Sequence, residues 1–518
     1  MDAWRIAFPI LLVLTACTPA APTTSPRPSA QLTPERAVTQ RLRIATASLG
    51  ASIAPEAQGV LVWLNAMAFD SLTRMDPQLQ PAPGVAQSWE QLADGTGWRF
   101  RLRDDLRWPD GSPLTAEDVA WTMQTMIQDR WLGVSNFPAV TAARAVDRLT
   151  VDFLTRGPDV STLINAAYFF VVPRALYERL GQEAFARQPQ GTGPYAVVEF
   201  IPSDRVTWRR REGYRHPYRS PILTEVQLRA VPDTASALAG LRSGELDFLI
   251  GVTNPELIEQ AERAGLKTYR RVTSNFVILV DATASRGTPL AQKAVRQALN
   301  YAIDRDQIAT QLFKGTAVPM GQIGLPGAPM HLPELKPYPF DQRRARELLA
   351  AAGYPNGFTL AGGIDFSPAF HSEPLILAFQ NFLRQIGVEA KINRWEASVW
   401  QEKLFGRNNQ TRSELYPVTY GDANGLMTFG RSLLTCTNPQ AVLVCVPEFD
   451  RLMDLASSEV DTTQRTRYLQ AANRAFVEEL PAVFIIASGP TYVMRPNVQG
   501  FAPSNVTFFT YDEVYLSN

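Results

Sequence analysis

Three stretches of the chain have the apolar periodicity of amphipathic helices, each with a polar residue where the helix would begin. The first is predicted to begin after Thr115, where Asp118 completes a Thr-x-x-Asp capping pattern. The second is predicted over 295–312, with Asp304 offering a second cap within it. The third is predicted over 341–353, between an Asp at the start and a Gly suited to a left-handed end.

Short runs rich in β-branched and aromatic residues predict strands between these helices. The two kinds of element alternate irregularly and no repeat of solenoid length is present, which indicates a mixed α/β protein. A chain of 518 residues is long enough for two or three domain-sized cores. The strands are predicted at 41–47, 98–102, 149–154, 195–200, 206–210, 276–280 and 483–486.

Residues 1–16 have the pattern of a signal peptide. An uncharged apolar run over 6–14 is about half of the roughly 20 residues that a membrane-spanning helix needs, so it predicts an export signal. The tetrad Leu-Thr-Ala-Cys ending at Cys17 is similar to the cleavage site of bacterial lipoproteins, in which the cysteine is acylated; a chance Ala-Cys pair is the alternative. Residues 17–41 are predicted to be the lipidated cysteine and a Pro-, Ser- and Thr-rich tether, because this composition cannot bury a core.

The charges of the chain balance, with 50 basic and 50 acidic side chains. Such a chain lacks the basic field that a nucleic-acid binder needs, so we predict no nucleic-acid partner. The densest basic stretch, 205–219, is interpreted as a strand edge with solvated arginines, and a phosphate-binding patch is the alternative.

Two cysteines remain once Cys17 is set aside, Cys436 and Cys445. In an exported chain an even pair favours a disulfide, and the Asn-Pro at 438–439 is a turn signal that lets the chain double back between them. Two free buried thiols are the alternative.

Motifs of catalysis and of metal binding are missing from the sequence. His216, His331 and His371 are far apart, and neither a zinc-binding His-Glu-x-x-His pattern nor a nucleophile elbow or P-loop occurs. His371 with Glu373 is interpreted as a loop pair rather than a metal site. We therefore predict no cofactor and no metal, and a secreted hydrolase is only a remote alternative.

Short motifs along the chain match one known pattern in order and spacing. They occupy 69–73, 81–89, 108–119 (WPDGSPLTAEDV), 191–195, 243–247, 295–305 and 348–355. Together they resemble the family 5 solute-binding proteins, whose known members include the peptide-binding receptors of bacterial ABC importers. The similarity extends from about residue 42 to the end, and the Cys436/Cys445 segment resembles the disulfide segment of dipeptide-binding members.

The resemblance implies an α/β fold of the type II periplasmic-binding-protein class, with two lobes that enclose the ligand. The hinge between them is expected at 271–275 and 486–488. By analogy the parts are lobe one at 42–60, 190–273 and 487–518, a subdomain inserted into lobe one at 61–189, and lobe two at 274–486.

The function implied by the resemblance is that of an extracytoplasmic receptor rather than an enzyme. It would capture a peptide, hold to the cell membrane through its lipid, and deliver the ligand to ABC permease subunits with their separate ATPase. A monomer is expected. A sugar or a metal chelate stays open as the ligand, because the motifs belong to the scaffold and not to the cleft lining.

One segment, 419–425, is predicted to contact the ligand. In peptide-binding relatives this region carries an aspartate that pairs with the amino group of the ligand, and Asp422 occupies the matching place. The Asp-Pro that usually follows is missing and Asn424 stands there, so a role for Asp422 in fixing a turn is an equal alternative. The expected ligand-binding residues are Asp422, Tyr420, Asn424, Trp400 and Asn275.

Overall fold

A computed structural model shows the described part of the chain as a mixed α/β protein. None of its described helices is long and apolar enough to cross a membrane. Asp422 and Asn424 lie outside the described residues, as do the predicted signal peptide, Cys17 and the tether up to residue 39. The described residues are 40–50, 52–57, 62–76, 80–214, 216–217, 219–281, 285–368, 370–405, 413–421, 434, 436, 444–502 and 510–517.

The strands and helices are numbered in chain order. The strands are β1 (Arg41–Thr46), β2 (Thr73–Met75), β3 (Pro81–Pro83), β4 (Ala86–Gln91), β5 (Gly97–Leu102), β6 (Val140–Asp147), β7 (Thr150–Thr155), β8 (Tyr195–Ile201), β9 (Arg205–Arg210), β10 (Glu225–Ala230), β11 (Phe248–Val252), β12 (Lys267–Arg270), β13 (Ser274–Val280), β14 (Val318–Pro319), β15 (Phe358–Phe366), β16 (Val388–Arg394), β17 (Leu415–Gly421), β18 (Ala482–Ser488), β19 (Thr491–Met494), β20 (Val498–Gln499) and β21 (Tyr515–Leu516). The α-helices are α1 (Val62–Ala68), α2 (Ala116–Gln128), α3 (Ser161–Asn165), α4 (Arg174–Leu180), α5 (Gln182–Arg187), α6 (Thr234–Ser243), α7 (Pro255–Arg263), α8 (Lys293–Ala302), α9 (Arg305–Gln307), α10 (Gln342–Ala351), α11 (Glu373–Gln385), α12 (Ala397–Phe405), α13 (Pro447–Ser458) and α14 (Thr462–Glu479).

The three predicted helices are present, and their caps are the predicted ones. Asp118 accepts a hydrogen bond from the backbone N–H of Thr115 at 3.0 Å, which forms the capping box of α2. Asp304 caps α9, which continues into a π-helical turn over Ile308–Leu312. Asp341 caps α10 by accepting from the N–H of Arg344 at 2.8 Å.

The first sheet has seven strands in the order β12-β19-β11-β1-β10-β9-β8. Strand β1 runs parallel to both β10 and β11, while β19 runs antiparallel to β11 and β12. The first residue of β19, Thr491, therefore lies opposite Val252 and Arg270, at the carboxyl ends of β11 and β12.

The second sheet has six strands in the order β14-β18-β13-β17-β15-β16. Strand β15 runs parallel to β16 and β17, and β13 runs antiparallel to β17 and β18. Ser274, the first residue of β13, pairs with Gly421 of β17 and with Ser488 of β18. The carboxyl ends of β15, β16, β17 and β18 therefore lie at one edge, beside the start of β13.

The chain passes between the first and second sheets twice, after Arg270 and after Ser488. The two crossings are joined where the N–H of Thr273 donates to the carbonyl of Ser488 at 3.1 Å. Each sheet thus turns the carboxyl ends of its parallel strands toward these crossings. We call the edges of the two sheets that carry these strand ends the cleft edges.

A third sheet, β4-β5-β7-β6, is inserted between β1 and β8 in the chain and packs against α2. Its buried side chains, among them Phe100 and Phe153, belong to an apolar cluster that continues to Val277 and Leu279 on one face of the second sheet. Ile278 belongs to a separate cluster on the opposite face. The predicted bounds of the lobes, the subdomain and the hinge stay predictions.

The interpretation of 205–219 as a strand edge is wrong, although the solvated arginines are present at Arg209 and Arg210. Strand β9 pairs with β10 on one side and with β8 on the other, so it is not at an edge. Arg219 is buried, and it pairs with Asp512 at 2.7 Å and with Asp70 at 3.1 Å. Those two carboxylates come from distant parts of the chain, so the local run of arginines did not reveal them.

Candidate ligand-binding site

Asn275 and Tyr420, two of the predicted ligand residues, lie directly opposite each other on β13 and β17. The side chain of Asn275 is fully buried, and its Nδ2 donates to the carbonyls of Gln322 and Ile323 at 3.0 and 3.1 Å. The same nitrogen lies 3.5 Å from the hydroxyl of Tyr420. Two predicted residues are thus brought together at the cleft edge of the second sheet.

Trp400, the third predicted residue that is described, reaches the same sheet from α12. Its ring lies 6.1 Å from that of Tyr416, which shares a face of β17 with Tyr420 because side chains alternate along a strand. Trp400 also contacts His371 at 4.8 Å and Phe370 at 5.3 Å between ring centroids. Neither His371 nor Phe370 was predicted to contact the ligand.

The loop that carries Phe370 and His371 follows directly after β15. Both backbone N–H groups donate to the carbonyl of Ser367, at 3.1 and 3.0 Å, which makes a tight turn before α11. Strand β15 was not predicted, because Gly362 and Gly363 interrupt its apolar pattern where its pairing with β16 shifts register. The loop after β15 was therefore not predicted to be part of a binding site.

His371 is buried, and burial lowers its pKa to about 4, against hydrogen bonds to the backbone of Ser367 and Pro417 that raise it. The imidazole is therefore neutral at neutral pH, and it contributes a flat uncharged ring to the aromatic cluster around Trp400. No group of three metal-binding side chains occurs among the described residues.

Four buried polar atoms along the two cleft edges have no hydrogen-bond partner within the described part of the chain. They are Asn275 Oδ1, Ser367 Oγ, Trp400 Nε1 and Thr491 Oγ1. Their side chains are all at least nine-tenths buried. Similar atoms occur elsewhere in the described residues, for example Trp208 Nε1. Because more than nine in ten buried polar groups in proteins are hydrogen-bonded, each such atom is one to which another molecule can supply the partner.

The charged groups beside Trp400 are paired with neighbouring side chains. Asp365, the penultimate residue of β15, accepts from Asn393 Nδ2 at 2.9 Å and from Trp395 Nε1 at 2.8 Å. Lys403 of α12 lies 3.6 Å from the other carboxylate oxygen and over the ring of Trp395. The network ties β15, β16 and α12 together, so it positions Trp400 rather than binding a ligand.

The predicted disulfide between Cys436 and Cys445 is present. The backbone N–H of Cys436 donates to Asp450 Oδ2 at 2.7 Å, which links the bridged segment to α13. Asp422 and Asn424, which precede this segment in the chain, lie outside the described residues, so their assignment stays a prediction.

A comparison with known protein families identifies the family of this chain. The bacterial extracellular solute-binding proteins, family 5 Middle, match residues 80–431, which is more than half of the chain. This chain is a family 5 solute-binding protein. The resemblance seen in the sequence motifs is thereby confirmed.

Two relatives match this solute-binding protein over most of its length. The peptide transport periplasmic protein SapA of Salmonella typhimurium is 27% identical over 474 residues, covering 85% of each chain. The glutathione-binding protein GsiB of Shigella boydii is 24% identical over 469 residues, covering 86% of this chain and 88% of GsiB.

The fold is that of the two-lobed periplasmic binding proteins. The ABC transporter-associated periplasmic binding protein DppA from Helicobacter pylori, solved with the peptide STSA, superposes with a TM-score of 0.73 at 20% identity. The match covers 92% of this chain and 98% of DppA. The predicted α/β fold class is confirmed.

Proposed function

We propose that this solute-binding protein is the extracytoplasmic receptor of an ABC importer and that it captures peptides between its two cleft edges. The observation that carries the proposal is the set of buried, unpartnered, uncharged polar atoms at the edges, in Asn275, Ser367, Trp400 and Thr491. In open α/β sheets ligands bind outside the carboxyl ends of the strands, which is where these atoms lie.

A peptide suits these atoms because each of its residues offers a backbone N–H donor and a carbonyl acceptor. Trp400 Nε1 can only donate, Asn275 Oδ1 can only accept, and the hydroxyls of Ser367 and Thr491 can do both. Main-chain hydrogen bonds give affinity without a strict choice of sequence. SapA is named for peptide transport, GsiB for glutathione binding, and DppA was solved with a bound peptide, which supports the same ligand class.

Asp422 is proposed to pair with the amino group of the peptide. It follows the last residue of β17 in the chain, and that residue, Gly421, pairs with Ser274 at the start of β13. Replacing Asp422 by Ala should weaken binding by about 2–5 kcal/mol, because a desolvated ammonium group would lose its partner. Calorimetry with a peptide and with its N-acetylated form separates the roles: a turn-forming Asp422 would leave the difference between the two peptides unchanged.

The two sheets are proposed to belong to separate lobes, with lobe one at 42–60, 190–273 and 487–518 and lobe two at 274–486. The short crossings near 271–275 and 486–488 would act as the hinge, since few residues there need to change conformation for the cleft to close. The inserted segment 61–189 would move with lobe one.

Cys17 is proposed to carry the lipid that holds the receptor to the membrane, with 17–41 as its tether. Acyl chains supply the apolar area for anchoring, so Cys17→Ser should release the protein into the soluble fraction. Detergent partitioning of both forms tests this, and a serine variant that stays wholly with membranes contradicts it.

The peptide ligand itself is tested most directly by mass spectrometry of the small molecules that copurify with the protein, followed by calorimetry with the molecule found. We expect di- or oligopeptides. A sugar or a metal chelate as the bound species would keep the receptor role and overturn the peptide assignment.

A further inference from the structure

Phe370 is an exposed aromatic residue that packs on two buried aromatic ones, His371 and Trp400. Its ring is 41% exposed, while Trp400, His371 and Tyr416 behind it are each at most 5% exposed. The ring of Trp400 lies within 4.8–6.1 Å of His371, Phe370 and Tyr416. An aromatic ring fixed in this way is a preformed apolar contact, since little side-chain freedom is lost when a second molecule packs on it.

The position of this ring relates it to the cleft. Phe370 follows the carboxyl end of β15 by four residues, in the turn that Ser367 closes. Two of the unpartnered buried atoms, Ser367 Oγ and Trp400 Nε1, belong to residues that contact or flank the ring. Apolar surface with a few free polar atoms beside it is the usual composition of a small-molecule pocket.

We infer that Phe370 forms the wall of an apolar subsite that takes one large apolar or aromatic side chain of the bound peptide. The inference rests on the proposed function and adds a preference that the family membership does not supply. His371 and Trp400 position the ring, and Trp400 Nε1 and Ser367 Oγ are available to the peptide backbone next to the accepted side chain.

Charge supports an apolar occupant. His371 is neutral, and Lys403, the nearest cation on α12, is engaged by Asp365 and by the ring of Trp395. A carboxylate or ammonium side chain placed against this wall would lose its hydration without gaining a partner from these residues. A large apolar side chain would gain by the same burial.

The test uses the mature protein, freed of copurifying ligand by mild denaturation and refolding, and calorimetry with tripeptides of alanine in which one position at a time is replaced by Phe, Leu, Asp or Lys. Wild type should bind the best Phe or Leu peptide at least about tenfold more tightly than trialanine. Phe370→Ala should lose most of that preference, so that its affinities for the Phe or Leu peptide and for trialanine come within about twofold of each other. Phe370→Leu should keep much of the preference, because it restores apolar area.

Phe340→Ala is the matched control. Phe340 is 46% exposed and packs on Phe382, near the far end of α11 from Phe370, so the same truncation is made away from the cleft edge. This variant should keep the wild-type preference. A Phe370→Ala protein that still prefers Phe or Leu peptides overturns the inference, as does wild-type binding of all tripeptides with equal affinity, and both results leave the peptide receptor role standing. Absence of binding for every peptide overturns the inference and the proposed peptide ligand together.

Discussion

Two buried polar regions of this protein differ in whether ion pairs hold them together. Around Arg219, where the inserted segment meets the first sheet, the guanidinium makes two bonds to Asp512 and one to Asp70, which also accepts from the hydroxyl of Tyr214. At the cleft edge of the second sheet, Asn275, Ser367 and Trp400 keep buried atoms without partners in the described residues. In the first region the protein supplies the counterions of Arg219, although Asp70 Oδ2 has no hydrogen-bond partner among the described residues. In the second region we expect a ligand to supply the missing partners.

This difference between the two regions predicts which changes should reduce stability and which should reduce affinity. Arg219 is charged and buried with its counterions, so its removal leaves like charges without compensation. The atoms at the cleft edge are neutral, which makes an unpaired state tolerable: leaving one without a partner costs about 1–3 kcal/mol, far less than an unpaired buried charge.

The largest effect is expected from Arg219→Met. It should lower the free energy of unfolding by about 3–5 kcal/mol, because Asp70 and Asp512 would stay buried without their partner. Burial already raises the pKa of Asp70 against the attraction of Arg219. Urea unfolding followed by circular dichroism measures the change.

The matched control for Arg219 is Arg229→Met in β10 of the first sheet. Arg229 pairs with Glu245 at 2.9 Å, but both side chains are exposed, so about 0.5 kcal/mol or less is expected. Equal losses of unfolding free energy in the two variants would show that the Arg219 network stabilises the fold no more than a surface ion pair does.

The disulfide should contribute less than the Arg219 network. Replacing both Cys436 and Cys445 by Ser should cost about 2.5–3 kcal/mol, since the bridge restricts the unfolded chain over a separation of nine residues. Wild type unfolded in the presence of a reductant should match the double variant, and thiols that react with an alkylating agent before reduction would contradict the bridge.

Lowering the pH should reduce stability through one buried histidine in each region. Burial lowers the pKa of His216 to about 3 and that of His371 to about 4, so the unfolded chain binds protons that the folded one does not as pH falls from about 6.5. Between pH 7 and 5, His371 should account for about 2 kcal/mol of the loss. His371→Gln should remove that part of the loss.

Glu56 acts in the opposite direction over part of this range. Burial raises its pKa to about 7, so its contribution to stability is lost as pH rises from about 4.5 to 7. Comparing each variant with wild type at the same pH cancels this background. An unchanged pH dependence in His371→Gln would show that the imidazole is not held neutral.

The smallest change in stability is expected from Ser367→Ala. Its hydroxyl is buried without a partner, so the free energy of unfolding should stay within about 0.5 kcal/mol of wild type or rise, while peptide affinity should fall about 2- to 10-fold. Ser243→Ala is the converse control: that hydroxyl donates to the carbonyl of Gly240 at the end of α6, so affinity should stay constant. Lost stability and unchanged affinity in Ser367→Ala would remove the distinction between the two regions.

The candidate site was predictable only in part. Asn275, Tyr420 and Trp400 were expected from the resemblance. The structure places Asn275 opposite Tyr420, and Trp400 against Tyr416 on the same strand as Tyr420. Ser367 and Phe370 were not expected, since they follow a strand whose two glycines hide its pattern. Their importance comes from the turn that places them beside Trp400.

The local features of this protein could be predicted from the sequence: the helix caps at Asp118, Asp304 and Asp341, seven of the thirteen described strands of six or more residues, and the family. Caps and periodicity act within three to seven residues, so they can be read directly from the chain. The burial of Arg219 could be recognised only in the tertiary structure, because its partners lie 149 and 293 residues away in the chain. The cleft edges are likewise visible only in the tertiary structure, because the strand order brings together residues that are far apart in the chain.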